Sequence, residues 1–534
     1  MSIASYPTHD TALQDEPSPL ARAGDWSPGF EERSKYLPLW FLPPTILGGV
    51  SWAAGGIWEL TDLAFVLGIV ILAGIFLNEL RTFARRFGIG GLIFSGGALI
   101  WWCYDYLNHW LGYRGTSVES FELSASSLTE MPAWVLAKAT CLHFMFLACM
   151  ALGLQFRRYM FVSRLCFKSI EPANSFVLFV IILGVFGLSM IPYLFFTAED
   201  PITAIYLMIT AGRSAEGPTW LAGRSGNVST NWGNYLTQLI DLGFIGASLA
   251  GLHAILFTRS NLQRIICWGI FALNMALAFG SGTRGNVILV ALPIVMLLFL
   301  KYNFIANMLD RRFSTRAYVV VLSILGGLLL LVQVMAFFRN EGFEIQNFQE
   351  VEVSNLKGNE MFTTTLPGMS TLPQFGRFLD EPFSGGGVIY TMPKTIYWLV
   401  IGPIPRALWP GKPVDPIWAK YNALTTGRSE DNYEGTTISR GAAGDPYFRY
   451  GIPGLIQIGI MYGWILRNCE VGVRQAFDRP IALLALLGFA TFMFRSFRDL
   501  NFQTMYPVVY SAVAMSLLCL VLNAIFGGRS QQEA

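Results

Sequence analysis

The chain has 534 residues, of which 53% are hydrophobic and only 13% charged, against about 25% charged in a typical soluble domain. A mean hydropathy of +0.47, with apolar runs of roughly 18 to 23 residues recurring along the chain, makes lipid its main solvent and excludes an ordinary soluble enzyme. The net charge of +2 argues against a nucleic-acid binder, although the basic residues are strongly weighted to arginine, with 29 Arg to 8 Lys.

Residues 1–36 are polar, contain prolines and are acidic as often as basic, so they read as a cytoplasmic tail without a cleavable signal peptide. Spans are then expected at 37–57, 60–79, 87–105, 133–154, 175–196, 235–257, 263–280, 286–304, 317–338, 451–466, 480–494 and 504–526, each near the ~20 residues that a bilayer core requires. The fold class is an all-α polytopic membrane protein with about 12 transmembrane helices. With the tail inside, the even-numbered connections carry Arg81, Arg85 and Arg86, then Arg157, Arg158, Arg164 and Lys168, then Arg259 and Arg264. The later ones carry Lys301, Arg311, Arg312 and Arg316, and finally Arg467, Arg474 and Arg479. The positive-inside rule is satisfied at each of them and both termini fall in the cytoplasm.

The expected organisation is a tail (1–36), a bundle of spans 1–9 (37–338), a long outward-facing loop with short interfacial helices (339–450), and spans 10–12 with a short cytoplasmic tail (451–534). The long loop is too large for a mere connector, so chemistry is expected there. Within it Val388–Val400 is apolar but short and holds Pro393, which suits an interfacial or re-entrant helix. The seven cysteines stand singly in or beside apolar runs and read as small core residues. Four scattered histidines and the absence of a DxD or HExxH spacing give no metal site.

Arginines cluster at the outward span ends, where the positive-inside bias does not explain them. Arg284 lies in the turn GSGTRG, Arg339 follows the ninth span, Arg440 and Arg449 precede the tenth, and Arg495 and Arg498 follow the eleventh in FRSFRD. A central Arg costs about 2.5 to 3.5 kcal/mol on insertion scales, so each such charge needs a partner or a route to water. One reading is that each snorkels or pairs locally, as Arg339 with Glu341 and Arg498 with Asp499. The other is that they gather around a dianionic lipid-linked ligand, because guanidinium forks bind phosphate oxygens bidentately. The segment Gly402–Pro413, GPIPRALWPGKP, adds Arg406 and Lys412 in a turn stiffened by prolines. Aromatics including Trp409 and Tyr447 thread the same region.

These motifs, in the order GSGTRG, IPRALWPGKP, GDPYFRYGIPGLIQIGIMYG and FRSFRD over roughly residues 270 to 510, resemble those of the O-antigen polymerase (Wzy-type) family of oligosaccharide repeat-unit polymerases. Arg440, followed by ten residues and Gly451, matches a spacing that some members carry; a second copy is absent, since Gly223 and Gly387 follow Arg213 and Arg377 one residue early. The resemblance implies a multi-pass protein of the bacterial inner membrane, similar to GT-C type glycosyltransferases, with its site facing the periplasm and with no cofactor or metal. Such an enzyme transfers a growing glycan from undecaprenyl pyrophosphate to a hydroxyl of an incoming lipid-linked repeat unit. Asp445, Arg440 and Arg284 are then the expected catalytic residues, with Asp445 as base and Glu341 in reserve. Arg339, Arg406, Lys412, Tyr447, Arg449, Arg495 and Arg498 are expected to bind pyrophosphate or sugar. A turn or helix-capping role before Pro446 is the other reading of Asp445.

Expected partners are undecaprenyl-pyrophosphate-linked oligosaccharides, membrane lipid, a chain-length-regulating co-polymerase and a flippase, with no nucleic acid. Two other functions compete: a glycan ligase on the same carrier, and a polysaccharide flippase or transporter. A transporter requires ionisable residues deep in the spans, where Lys138 and Asp241 are the main cases.

Overall fold

The computed structural model describes residues 34–86, 89–103, 133–156, 160–197, 233–280, 284–302, 441–498 and 505–526, with positions 202, 203, 206, 209, 397, 400, 401, 409, 411 and 413. The regular structure among the described residues is helical. In chain order the helices are α1 (Leu37–Trp40), α2 (Leu42–Ala53), α3 (Trp58–Arg86), α4 (Gly90–Ala98), α5 (Ala133–Gly153), α6 (Phe161–Cys166) and α7 (Ser175–Thr197). They continue with α8 (Gly233–Leu252), α9 (Asn261–Gly280), α10 (Arg284–Tyr302), α11 (Gly441–Gln475), α12 (Pro480–Ser496) and α13 (Tyr506–Phe526). Two π-helical turns, Leu99–Cys103 and His253–Phe257, extend α4 and α8. Among the described residues six helical segments are long and apolar enough to cross a membrane, within α3, α5, α7, α8 with its π turn, α9 and α13. Shorter apolar helices at Gly90–Cys103, Gly285–Leu298 and Pro480–Ser496 pack beside them. This architecture fits a polytopic membrane protein. The expected ninth span at 317–338 lies outside the described residues.

Burial separates the centre of the bundle from its lipid-facing rim. In α5 83% of the apolar window is buried, whereas in α13 the share is 22%. Apart from Lys138, Thr140 and His143, which are themselves buried, α5 is apolar around its whole circumference. It is wedged between α2 and α11 at backbone distance. A methyl group at Gly48 of α2 would fall 2.9 Å from the Cys141 amide nitrogen, and one at Gly459 would fall 2.8 Å from Cys149 Cβ. Gly463, one turn further, abuts the Met150 carbonyl, and Gly153 of α5 abuts the Ile460 carbonyl. Glycines four residues apart share one helix face, so Gly459 and Gly463 form a groove for the neighbouring backbone.

The helix at the expected tenth span begins earlier than hydropathy suggests. Helix α11 starts at Gly441, and residues 441–448 are buried, so the end of the expected 339–450 loop is a packed helical segment. Gly451, with φ 68° and ψ −157°, breaks α11 into two helices. That left-handed backbone suits glycine, and Pro453 stands where the second half starts and no intrahelical N–H is required. The Gly and Pro content lowered the apparent apolarity of this stretch, while Ala442, Ala443, Tyr447 and Phe448 supply the buried surface.

Alternating helix directions give the bundle two chemically distinct ends. At one end lie Arg164, Lys168, Arg259, Arg264, Arg474 and Arg479. Carboxylates from distant segments satisfy helix starts there: Glu171 accepts from the Ile481 and Ala482 amides at 2.8 and 3.0 Å, and Glu470 accepts from the Gly90 amide at 2.5 Å. Glu470 also pairs with Arg474. The opposite end gathers Cys103, Ala133, Arg284, Gly441 and Ser496. Tyr302 and Gly441 therefore lie at opposite ends.

Candidate functional site

The end away from the basic connections collects residues from four parts of the chain. Arg495 closes the last turn of α12, and the Arg498 amide donates to its carbonyl at 3.0 Å. The Arg495 guanidinium lies directly on Gly285 of α10: a methyl group there would fall 2.5 Å from Arg495 Cζ. A side chain at this position would displace the guanidinium, so the absence of a Cβ is what lets Arg495 sit there. Since α10 begins at Arg284, its first amides have no intrahelical acceptor and its positive end points at the same place. A cation set against a helix N-terminus makes that point attractive to an anion.

The turn after α12 is held firmly. The Trp102 indole donates to the Phe497 carbonyl at 2.8 Å, and the Gly441 amide donates to the Arg498 carbonyl at 2.7 Å. Trp102 is itself stacked on His143, with ring centres 4.3 Å apart. These contacts fix the backbone from which Arg498 projects, and its guanidinium stands 5.6 Å from the centre of the Trp101 ring. The start of α11 is thereby tied to the end of α12.

On α11, Asp445 is 6% exposed and accepts a hydrogen bond from Arg449 Nε at 2.9 Å. The pair is one helical turn apart on one face. Asp445 lies inside the helix and not at its cap, which settles against the turn-residue reading. Tyr447 is buried and faces Lys138, whose ammonium is 5.3 Å from its ring centre and 4.8 Å from that of Trp52. Lys138 is 7% exposed, and two aromatic faces offset part of the desolvation of such a charge.

Of the residues singled out from sequence, Asp445, Tyr447, Arg449, Arg495 and Arg498 come together at this end with the head of α10, where the backbone of Arg284 stands. Arg440, Arg339, Arg406 and Lys412 lie outside the described residues, and within Gly402–Pro413 only Trp409, Gly411 and Pro413 are described. Sequence reasoning left Trp52, Trp101 and Trp102 unremarked and treated Lys138 only as a stray mid-span charge. A lysine inside the apolar run AWVLAKATC was the available signal, because an unpartnered one is expensive in lipid. The donors at this end are guanidinium, ammonium, indole and backbone amide, a set that suits an anionic ligand.

Comparison with protein-family models, with curated proteins and with solved structures gives no match for this chain.

Proposed function

We propose that the protein polymerises lipid-linked oligosaccharide repeat units at the outer face of a bacterial inner membrane. The observation that carries this reading is the seating of the Arg495 guanidinium on Gly285 at the head of α10, with Arg498, Asp445 and Arg449 on adjoining elements. The family resemblance of the surrounding motifs supports it. In the reaction, the bond from the glycan anomeric carbon to the undecaprenyl pyrophosphate oxygen breaks, and a bond from that carbon to the acceptor hydroxyl oxygen forms. Negative charge gathers on the departing pyrophosphate, where fixed guanidinium groups and helix amides stabilise it. The hydroxyl proton passes to the Asp445 carboxylate, which Arg449 orients through its 2.9 Å bond.

The test is genetic and reads chain length directly. Deleting the gene is expected to leave single repeat units on the surface acceptor, and complementation with Asp445→Ala or Arg284→Ala is expected to leave them unextended. Polymer retained on undecaprenyl pyrophosphate would indicate a ligase, and repeat units trapped in the cytoplasm a flippase. Full-length glycan from the alanine variants at normal protein level would sink the site assignment.

A further inference from the structure

Two adjacent tryptophans in the π-helical turn at the end of α4 have different fates. Trp102 donates its indole N–H to the Phe497 carbonyl at 2.8 Å. Trp101 is 3% exposed, and its Nε1 is enclosed without a hydrogen-bond acceptor among the described residues. Buried donors are rarely left so, and an exception asks for an explanation. Its surroundings supply one. The Trp101 ring carries the Arg498 guanidinium 5.6 Å from its centre and meets Phe494 edge-on, next to Arg495. A π-helical turn within an α-helix commonly marks a place where side-chain direction has been adjusted for function.

We propose that Trp101 is a phosphate-binding residue, its indole N–H joining Arg495, Arg498 and the first amides of α10 in holding a phosphate or pyrophosphate group. The inference rests on the function proposed above for the identity of the natural ligand. An indole N–H only donates and carries no charge. It therefore adds direction to a site whose arginines supply the field, favouring one orientation of the phosphate oxygens. The aromatic face beneath Arg498 limits the guanidinium plane to fewer orientations.

The full-length chain purified in detergent tests this with two probes: inorganic pyrophosphate, and a polyprenyl pyrophosphate in mixed micelles. Trp101→Phe keeps an aromatic ring beside Arg498 and removes the N–H together with the pyrrole part of the indole. It is expected to weaken binding of both probes by about tenfold, as loss of a hydrogen bond to a charged group does, with the loss of stability from the smaller ring read separately as the melting temperature of the unliganded protein. Arg495→Gln is expected to weaken both at least as much. Trp101→Phe binding both probes as tightly as the parent would overturn the proposal. Weakening confined to the polyprenyl probe would also overturn it, placing the indole against the isoprenoid. The two readings fail separately. Normal glycan length after gene deletion defeats the polymerase while leaving pyrophosphate binding by Trp101 intact, and a phenylalanine variant with parental binding defeats only the role of the indole.

Discussion

The ammonium of Lys138 stands between two aromatic rings from different helices, 4.8 Å from the centre of Trp52 and 5.3 Å from that of Tyr447. This arrangement joins α2, α5 and α11 at the end of the bundle that holds the arginines. A desolvated cation–π contact is worth about 2 kcal/mol. A double-mutant cycle between Lys138→Met and Trp52→Leu, read from unfolding in detergent, is expected to show a coupling of about 1 to 2 kcal/mol. Additive effects of the two substitutions would show that the ring does not stabilise the charge.

The backbone contact between α5 and α11 makes a second prediction. Gly463 abuts the Met150 carbonyl, whereas a Cβ at Gly184 of α7 meets nothing within 4 Å. Gly463→Leu is expected to destabilise the protein by about 3 kcal/mol or more through overpacking, and Gly184→Leu to be tolerated. Protein level and melting temperature in detergent compare the two, and equal tolerance would contradict the packing described.

Arg495 and Gly285 offer a test that separates charge from position. Arg495→Lys keeps the positive charge but loses the planar fork, and removing one such charge-stabilising donor typically slows catalysis about 100-fold or more. Gly285→Ala leaves Arg495 in the sequence and pushes its guanidinium aside. On the proposed function, both variants are expected to shorten the surface glycan at unchanged protein level. Normal glycan from Gly285→Ala would mean that the seating of Arg495 is not used.

Cys166 lies in α6 at the basic end, where burial pushes its thiol from the usual 9.0 up to about 12, against a smaller lowering by a backbone hydrogen bond. The folded protein keeps the neutral thiol at a pH at which the unfolded chain would ionise it. Its contribution to stability is thus complete below pH 9 and declines as pH rises from 9 toward 12. Iodoacetamide is expected to modify Cys166 slowly at pH 8 until the protein is unfolded. Rapid modification of the folded protein, located by peptide mapping, would show that the thiol is accessible.

Much of the helical architecture was legible in the sequence. The apolar runs at 133–154, 175–196, 263–280 and 504–526 correspond to α5, α7, α9 and α13 with small differences at their ends. Less legible was the start of α11, where Gly441, Pro446 and Gly451 imitate a loop. Hydropathy averages over a window, and so it cannot tell a solvent-exposed Gly-Pro segment from a small-residue helix packed against its neighbours. The seven cysteines read as core residues are free thiols in the structure, six of them buried and Cys141 partly so.

What the sequence determined by itself is which segments must avoid water and which ends carry the basic residues, since both follow from side-chain transfer energies summed along a continuous stretch. It also marked Arg495 and Arg498 as charges needing partners and Asp445 as a candidate base. Which helices stand side by side was decided by tertiary packing. The meeting of Arg495 with Gly285, of Arg498 with Trp101 and of Lys138 with Trp52 depends on backbone approach across glycines and on the shapes of distant surfaces, and neither is encoded in the periodicity of any one helix.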